Sequence, residues 1–169
     1  MPRLLVVLGL LLLAVRPSLA GTVTYQFTGV CTDCSGDVTA QLTLQDYTPG
    51  TDIGSAFVSF TYDGSNLVSS FTIDQGTGDL SVQGSIPTSL PGPADIDIIG
   101  SAGDIVDHID TEFSTSTNGS WSVSGVGPPY FDYGSSNTWS LVPEPGSMVI
   151  VGSGLIGLIF ARRRVRMTA

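Results

Sequence analysis

Few side chains in this sequence offer chemistry. Cys31 and Cys34 are its only cysteines, set three apart in Cys31-Thr32-Asp33-Cys34-Ser35-Gly36-Asp37. The ends of a tight turn lie within ~7 Å, near the Cα span that a disulfide accepts. In an oxidising compartment a loop disulfide is therefore the favoured reading. Thiol–disulfide exchange is the alternative, but the pair has neither a basic neighbour nor a helix N-terminus to lower a thiol pKa. Zinc would want further ligands, and His108 is the single histidine. His108 stands among Asp104, Asp107, Asp110 and Glu112. Serines are abundant, yet nothing marks one of them as an activated nucleophile, and no G-x-S-x-G turn occurs in the middle of the chain.

Two further groups suit ligands. The run from Asp95 to Glu112 holds six acids, and calcium prefers several oxygen ligands at close quarters. Asp95, Asp97, Asp104 and Asp107 are the candidate calcium ligands, although their spacing does not match an EF-hand. A solvated acidic face explains the same residues without an ion. Tyr130-Phe131-Asp132-Tyr133 follows Pro128-Pro129, and loop aromatics are less readily explained as core. Tyr130 and Tyr133 are thus the candidate sugar-stacking residues, whereas Trp121 and Trp139 fall on alternating segments and read as core.

The elements that position these residues read as strands. Thr22 to Gly29 and Val38 to Leu44 alternate apolar and polar residues, with the cysteine turn between them, which predicts a hairpin. Ala56 to Tyr62, Leu67 to Ile73, Leu80 to Ile86, Ile96 to Ile99, Gly119 to Gly125 and Asn137 to Leu141 continue the pattern, with a short element over Ile105 to Ile109. Turn chemistry separates them at Asp63-Gly64, Gly76-Thr77-Gly78 and the proline-rich Pro87 to Pro93. Eight or nine short strands predict an all-β fold, an antiparallel β-sandwich of jelly-roll-like or Ig-like type.

The charge distribution narrows function. The formal net charge is −9, from six basic and fifteen acidic residues. Every base lies at Arg3, Arg16, Arg162, Arg163, Arg164 or Arg166, so residues 21–142 carry fourteen acids and neither Lys nor Arg. Such a surface repels phosphates and anionic headgroups, which excludes nucleic acid as a partner. It also lacks the cations that phosphoryl or other anionic-substrate chemistry requires. An enzyme is not expected, and an exported hydrolase ranks last among the readings.

Both ends address the chain. Residues 1–20 read as a signal peptide for signal peptidase: Arg3, the apolar Leu4 to Val15, then Ser18-Leu19-Ala20 as a small-x-small cleavage site. Residues 21–141 are the exported acidic β domain. Residues 142–169 hold three parts in order: Val142-Pro143-Glu144-Pro145, an apolar helix over 147–161, and the Arg-rich end. The apolar run from Met148 to Ala161 reaches about 21 Å as a helix, short of a ~30 Å hydrocarbon core unless its ends snorkel. Arginines on the cytoplasmic side leave residues 21–142 outside the inner membrane.

Pro143, Glu144 and Pro145, the Gly-containing apolar span and Arg162, Arg163, Arg164 and Arg166 together resemble the PEP-CTERM sorting signal of exported Gram-negative proteins. The resemblance implies transient anchoring in the inner membrane and processing by an exosortase-type membrane enzyme. Delivery to the cell surface or to an extracellular polysaccharide or biofilm matrix would follow. It covers about a sixth of the chain and implies no activity for the rest. A structural protein of the surface or matrix is the expected function, with a carbohydrate- or calcium-binding module as the alternative. No cofactor is expected unless calcium binds.

Overall fold

The structure, a computed structural model, describes residues 21–101, 110–125 and 131–143. The described chain is all β apart from a single 3₁₀ turn at Gly54–Ala56. Its strands are β1 (Thr22–Val30), β2 (Asp37–Gln45), β3 (Phe57–Tyr62), β4 (Phe71–Asp74), β5 (Ser81–Ser85), β6 (Asp95–Ser101), β7 (Asp110–Thr115), β8 (Trp121–Ser124), β9 (Phe131–Gly134) and β10 (Ser136–Leu141). They form two five-stranded antiparallel sheets, ordered β10-β1-β2-β3-β4 and β5-β6-β7-β8-β9. Among the described residues no helix is long and apolar enough to cross a membrane. The signal peptide, the apolar helix over 147–161 and the element over Ile105 to Ile109 lie outside the described residues.

Alternation decides which faces meet. In β2, Val38, Ala40, Leu42 and Leu44 point inward and are buried, while Thr39, Gln41 and Thr43 point away. Inward rings from both sheets interlock. Phe27 of β1 lies 5.1 Å from Phe113 of β7 and 5.6 Å from Trp121 of β8, in edge-to-face geometry. Phe60 of β3 lies 4.4 Å from Phe113, and Trp139 of β10 closes the cluster. The sheets therefore share one core, as a sandwich does.

The connections differ from the jelly-roll-like or Ig-like expectation. Every hydrogen-bonded neighbour is also the next strand in sequence, except that β10 returns to pair with β1. This is an up-and-down order, opened between β4 and β5 and between β9 and β10, whereas jelly rolls and Ig domains use Greek-key connections. The described residues also hold ten strands rather than eight or nine. β7 and β9 are the additions, and the expected strand over Leu67 to Ile73 shortens to β4. There Ser65 Oγ accepts the N–H groups of Leu67 and Val68 at 2.8 and 2.9 Å, turning the backbone before it can pair.

Loops from the opposite sheet cover the edge strands β5, β10 and β9. Between β2 and β3, the Ile53 N–H donates to Gly84 O of edge strand β5 at 2.9 Å, and Gly50 N–H to Ile86 O at 2.7 Å. From the β5–β6 loop, Gly92 exchanges both backbone hydrogen bonds with Trp139 of edge strand β10, at 3.1 and 2.8 Å. From the β1–β2 loop, Thr32 N–H donates to Tyr133 O of edge strand β9 at 2.8 Å. Covered edges cannot template pairing with another chain.

The tightest junction lies where β9 meets β1. The Trp121 indole covers Gly29 and Gly134; a Cβ on Gly134 would stand 2.0 Å from Val30 O and 2.4 Å from Trp121 Nε1. Gly134→Ala is therefore expected to destabilise the fold by roughly 1–3 kcal/mol or more through overpacking. Urea denaturation checks this, and a midpoint equal to wild type would mean that the junction is looser than described.

Candidate functional site

The cysteine loop and β9 together build the most organised polar site among the described residues. Cys31 and Cys34 are bridged, with Cα atoms 5.5 Å apart, in the turn that the β1–β2 register Val30↔Asp37 places beyond the hairpin's last pair. The Cys34 N–H donates to Cys31 Sγ at 3.0 Å. Asp33, at the loop tip, accepts the Tyr133 N–H at 3.1 Å, while Thr32 N–H meets Tyr133 O. Both outward backbone groups of Tyr133 are thus satisfied by this loop. Asp33 Oδ1 also lies 3.2 Å from Cys31 Sγ. A bridged sulfur carries no proton, so that approach is a contact and not a hydrogen bond.

Beside the bridge sits Asp132 of β9, 0 % exposed. The inward direction of β9 carries Asp132 and Gly134, and its outward direction Phe131 and Tyr133. Neutral hydroxyls satisfy the carboxylate. Tyr62 donates to Oδ2 at 2.5 Å and Ser65 to Oδ1 at 2.9 Å. The described residues contain no Lys or Arg, so none of them offers it an ion pair of that kind. Burial pushes the Tyr62 phenol far above its ordinary value, and the hydrogen bond to Asp132 adds to the rise, so Tyr62 keeps its proton and remains the donor. One ligand atom each from Cys31, Asp33, Cys34 and Asp132 lies within 4.8 Å of all the others. Sequence reading left the cysteine pair without further ligands; Asp33 and Asp132 are what it missed. Asp33 is visible as a loop acid, but the fold alone brings Asp132, far along the sequence, to it.

The other candidates scatter. Tyr133 is 49 % exposed, and Phe131, which belongs to the same sequence run, is 52 % exposed on the same outer face of its sheet. Tyr130 lies outside the described residues. Asp95 is exposed and Asp97 half-buried, both on the outer face of β6, with Asp97 between Gln83 and Ser114 in register. Burial, and then the neighbouring Asp95 charge, raise the Asp97 pKa from its ordinary value. Asp104, Asp107 and His108 lie outside the described residues.

At the C-terminal end, β10 runs to Leu141 opposite Tyr25, and the Val142 N–H still donates to Thr24 O at 2.9 Å. Pro143 follows at once, exposed. Its ring nitrogen carries no hydrogen, so it cannot continue the ladder. Glu144, Pro145, Arg162, Arg163, Arg164 and Arg166 lie outside the described residues.

Tyr62→Phe removes one of the two donors to a buried carboxylate and is expected to cost about 1–3 kcal/mol at neutral pH. In wild type, stability should fall as pH rises above the ordinary phenol value of 10.0. The unfolded chain releases that proton while folded Tyr62 holds it, so the folded state binds more protons and loses ground. Denaturant melts from pH 8 to 11 should show a shallower alkaline decline in Tyr62→Phe; parallel declines would remove Tyr62 from the account.

Comparison with curated proteins and with solved structures gives no match. A family model described as the PEP-CTERM protein-sorting motif matches residues 141–164, starting at the last residue of β10. The chain is thus a carrier of the PEP-CTERM protein-sorting motif, an exported protein addressed to an exosortase-type enzyme.

Proposed function

We propose that residues 21–142 are a structural protein of the cell surface or extracellular matrix, delivered by the sorting tail and freed or re-attached when an exosortase-type enzyme processes it. The observation that carries this reading is the junction. The sorting motif begins where the last strand ends, so processing near Pro143–Pro145 would spare every pairing of β10. The acidic, Lys- and Arg-free domain suits a hydrated polysaccharide matrix, since like charges keep such chains soluble and apart. Signal peptidase removal of residues 1–20, a Gram-negative source and the inner membrane as the transient anchor complete the proposal.

The test is intact mass and C-terminal peptide mapping of the protein from its own host, with Glu144→Ala alongside. The proposal expects a wild-type form starting near Gly21 and ending within Pro143–Pro145, and a variant that retains the Arg tail. Wild type still carrying residues 146–169 at the cell surface would contradict it and make the tail a simple anchor.

A second reading rests on Phe131 and Tyr133. Both rings stand on the outer face of edge strand β9, next to Ser122 and Ser124 across the β8 register. Aromatic faces flanked by hydroxyl groups suit a sugar's apolar face and its rim of hydroxyls. In affinity electrophoresis through the host's own polysaccharide, wild type should be retarded and Phe131→Ala/Tyr133→Ala should run free. Equal mobility of the two would remove this reading.

A further inference from the structure

We propose that Cys31, Asp33, Cys34 and Asp132 form a thiol-gated site for a zinc-class divalent cation, closed while the disulfide is intact and opened by its reduction. The inference is independent of the sorting tail. It starts from charge: two carboxylates and two sulfurs converge within 4.8 Å, in a domain whose described residues contain no cationic side chain. Asp132 is wholly buried there, held by Tyr62 and Ser65 through one lone pair on each oxygen, which leaves further lone pairs for an ion. Asp33 Oδ1 stands 3.2 Å from a sulfur without a proton between them. Once reduction frees two thiolates beside these two carboxylates, a cation is the partner that the four negative groups favour.

The ligands also come with their supports. Tyr133 N–H orients Asp33, Cys34 N–H points at the Cys31 sulfur, and two hydroxyls orient Asp132. Hydrogen bonds of this kind aim ligands and tune affinity in metal sites. Asp33 is exposed and both cysteines are half-buried, so an ion has an entry path from solvent. Ligand type selects the ion. Two thiolates with two carboxylates suit zinc and its four-coordinate analogues, whereas calcium needs six to eight oxygens. Cα atoms 5.5 Å apart suit a bridge and also leave room for two thiolates on one ion.

Gating is a balanced exchange. An external dithiol breaks the Cys31–Cys34 bond and becomes a disulfide itself, passing two electrons and two protons to the two protein thiols. Metal binding then releases both thiol protons. The oxidised loop keeps only the two carboxylates as donors.

The experiment uses the intact protein, reduced by dithiothreitol without oxygen, freed of reductant, and titrated with Co²⁺ and then Zn²⁺. One equivalent of Co²⁺ should produce thiolate-to-cobalt charge-transfer absorption in the near ultraviolet, which Zn²⁺ abolishes by displacement. Unreduced protein should show no such band. Asp33→Asn retains an oxygen to accept the Tyr133 N–H, so it preserves the loop's docking while removing the charged ligand. It should weaken Zn²⁺ binding on the order of tenfold or more, and Asp132→Asn likewise if it folds. Near-ultraviolet circular dichroism from Trp121 and Trp139 reports the fold. A reduced, folded protein without the cobalt band would overturn the proposal. So would a band whose Zn²⁺ affinity is unchanged in Asp33→Asn, which would mean thiolates alone. If reduction unfolds the chain, refolding on one equivalent of Zn²⁺ supports the site, and failure to refold overturns it.

Discussion

No Lys or Arg lies between residues 17 and 161, and that constraint governs how the domain is held. Among the described residues carboxylates have neither to pair with, so those that are fixed are fixed by neutral donors. Asp52 accepts the Gly54 N–H at 2.8 Å and the Gly84 N–H at 3.3 Å. Asp74 accepts the Gly76 N–H at 2.8 Å, Asp63 accepts the Thr39 hydroxyl, and Asp132 takes Tyr62 and Ser65. Edge strands are commonly guarded by lysines that discourage pairing with another chain. Here backbone from the opposite sheet covers β5, β9 and β10, and acids such as Asp33 and Asp52 stand at those seams as acceptors. The polar network and the edge closure are one solution to the same shortage.

That solution has a functional consequence. A domain whose β10 edge is covered from within can lose its tail without exposing that strand, because Gly92 covers the far side of β10 and the sorting motif starts only at Leu141. Five residues, Pro143 to Ser147, separate Val142 from the apolar run that the sequence places at Met148. Fully extended they reach about 18 Å. Before processing, the domain would thus be held close to the bilayer.

Much of the architecture was legible because alternation survives wherever large apolar residues line the inner face. β1, β2 and β10 are read directly from Tyr25, Phe27, Leu42 and Trp139. β7 was hidden because its buried positions are Thr111, Phe113 and Thr115, a single apolar residue between two hydroxyls. β9 inverts the rule outright: Asp132 and Gly134 face the core while Phe131 and Tyr133 face solvent. A strand with its charge inside and its aromatics outside cannot be recognised by hydrophobic period. The same inversion concealed the polar site, since Asp132 reads as a loop acid until Tyr62 and Ser65 are brought to it. The sorting tail was legible for the opposite reason, because its order of motif, apolar run and arginines is local.

The most direct measurement is amide hydrogen exchange on the protein before and after removal of its tail, followed at Tyr133, Trp139 and Val142. The account predicts that all three amides exchange as slowly as the interior of β2, and equally so in both forms, because Asp33, Gly92 and Thr24 hold them. Exchange at the rate of an exposed loop, or protection of Trp139 and Val142 lost with the tail, would contradict it. The domain would then be neither closed at its edges nor complete at Val142.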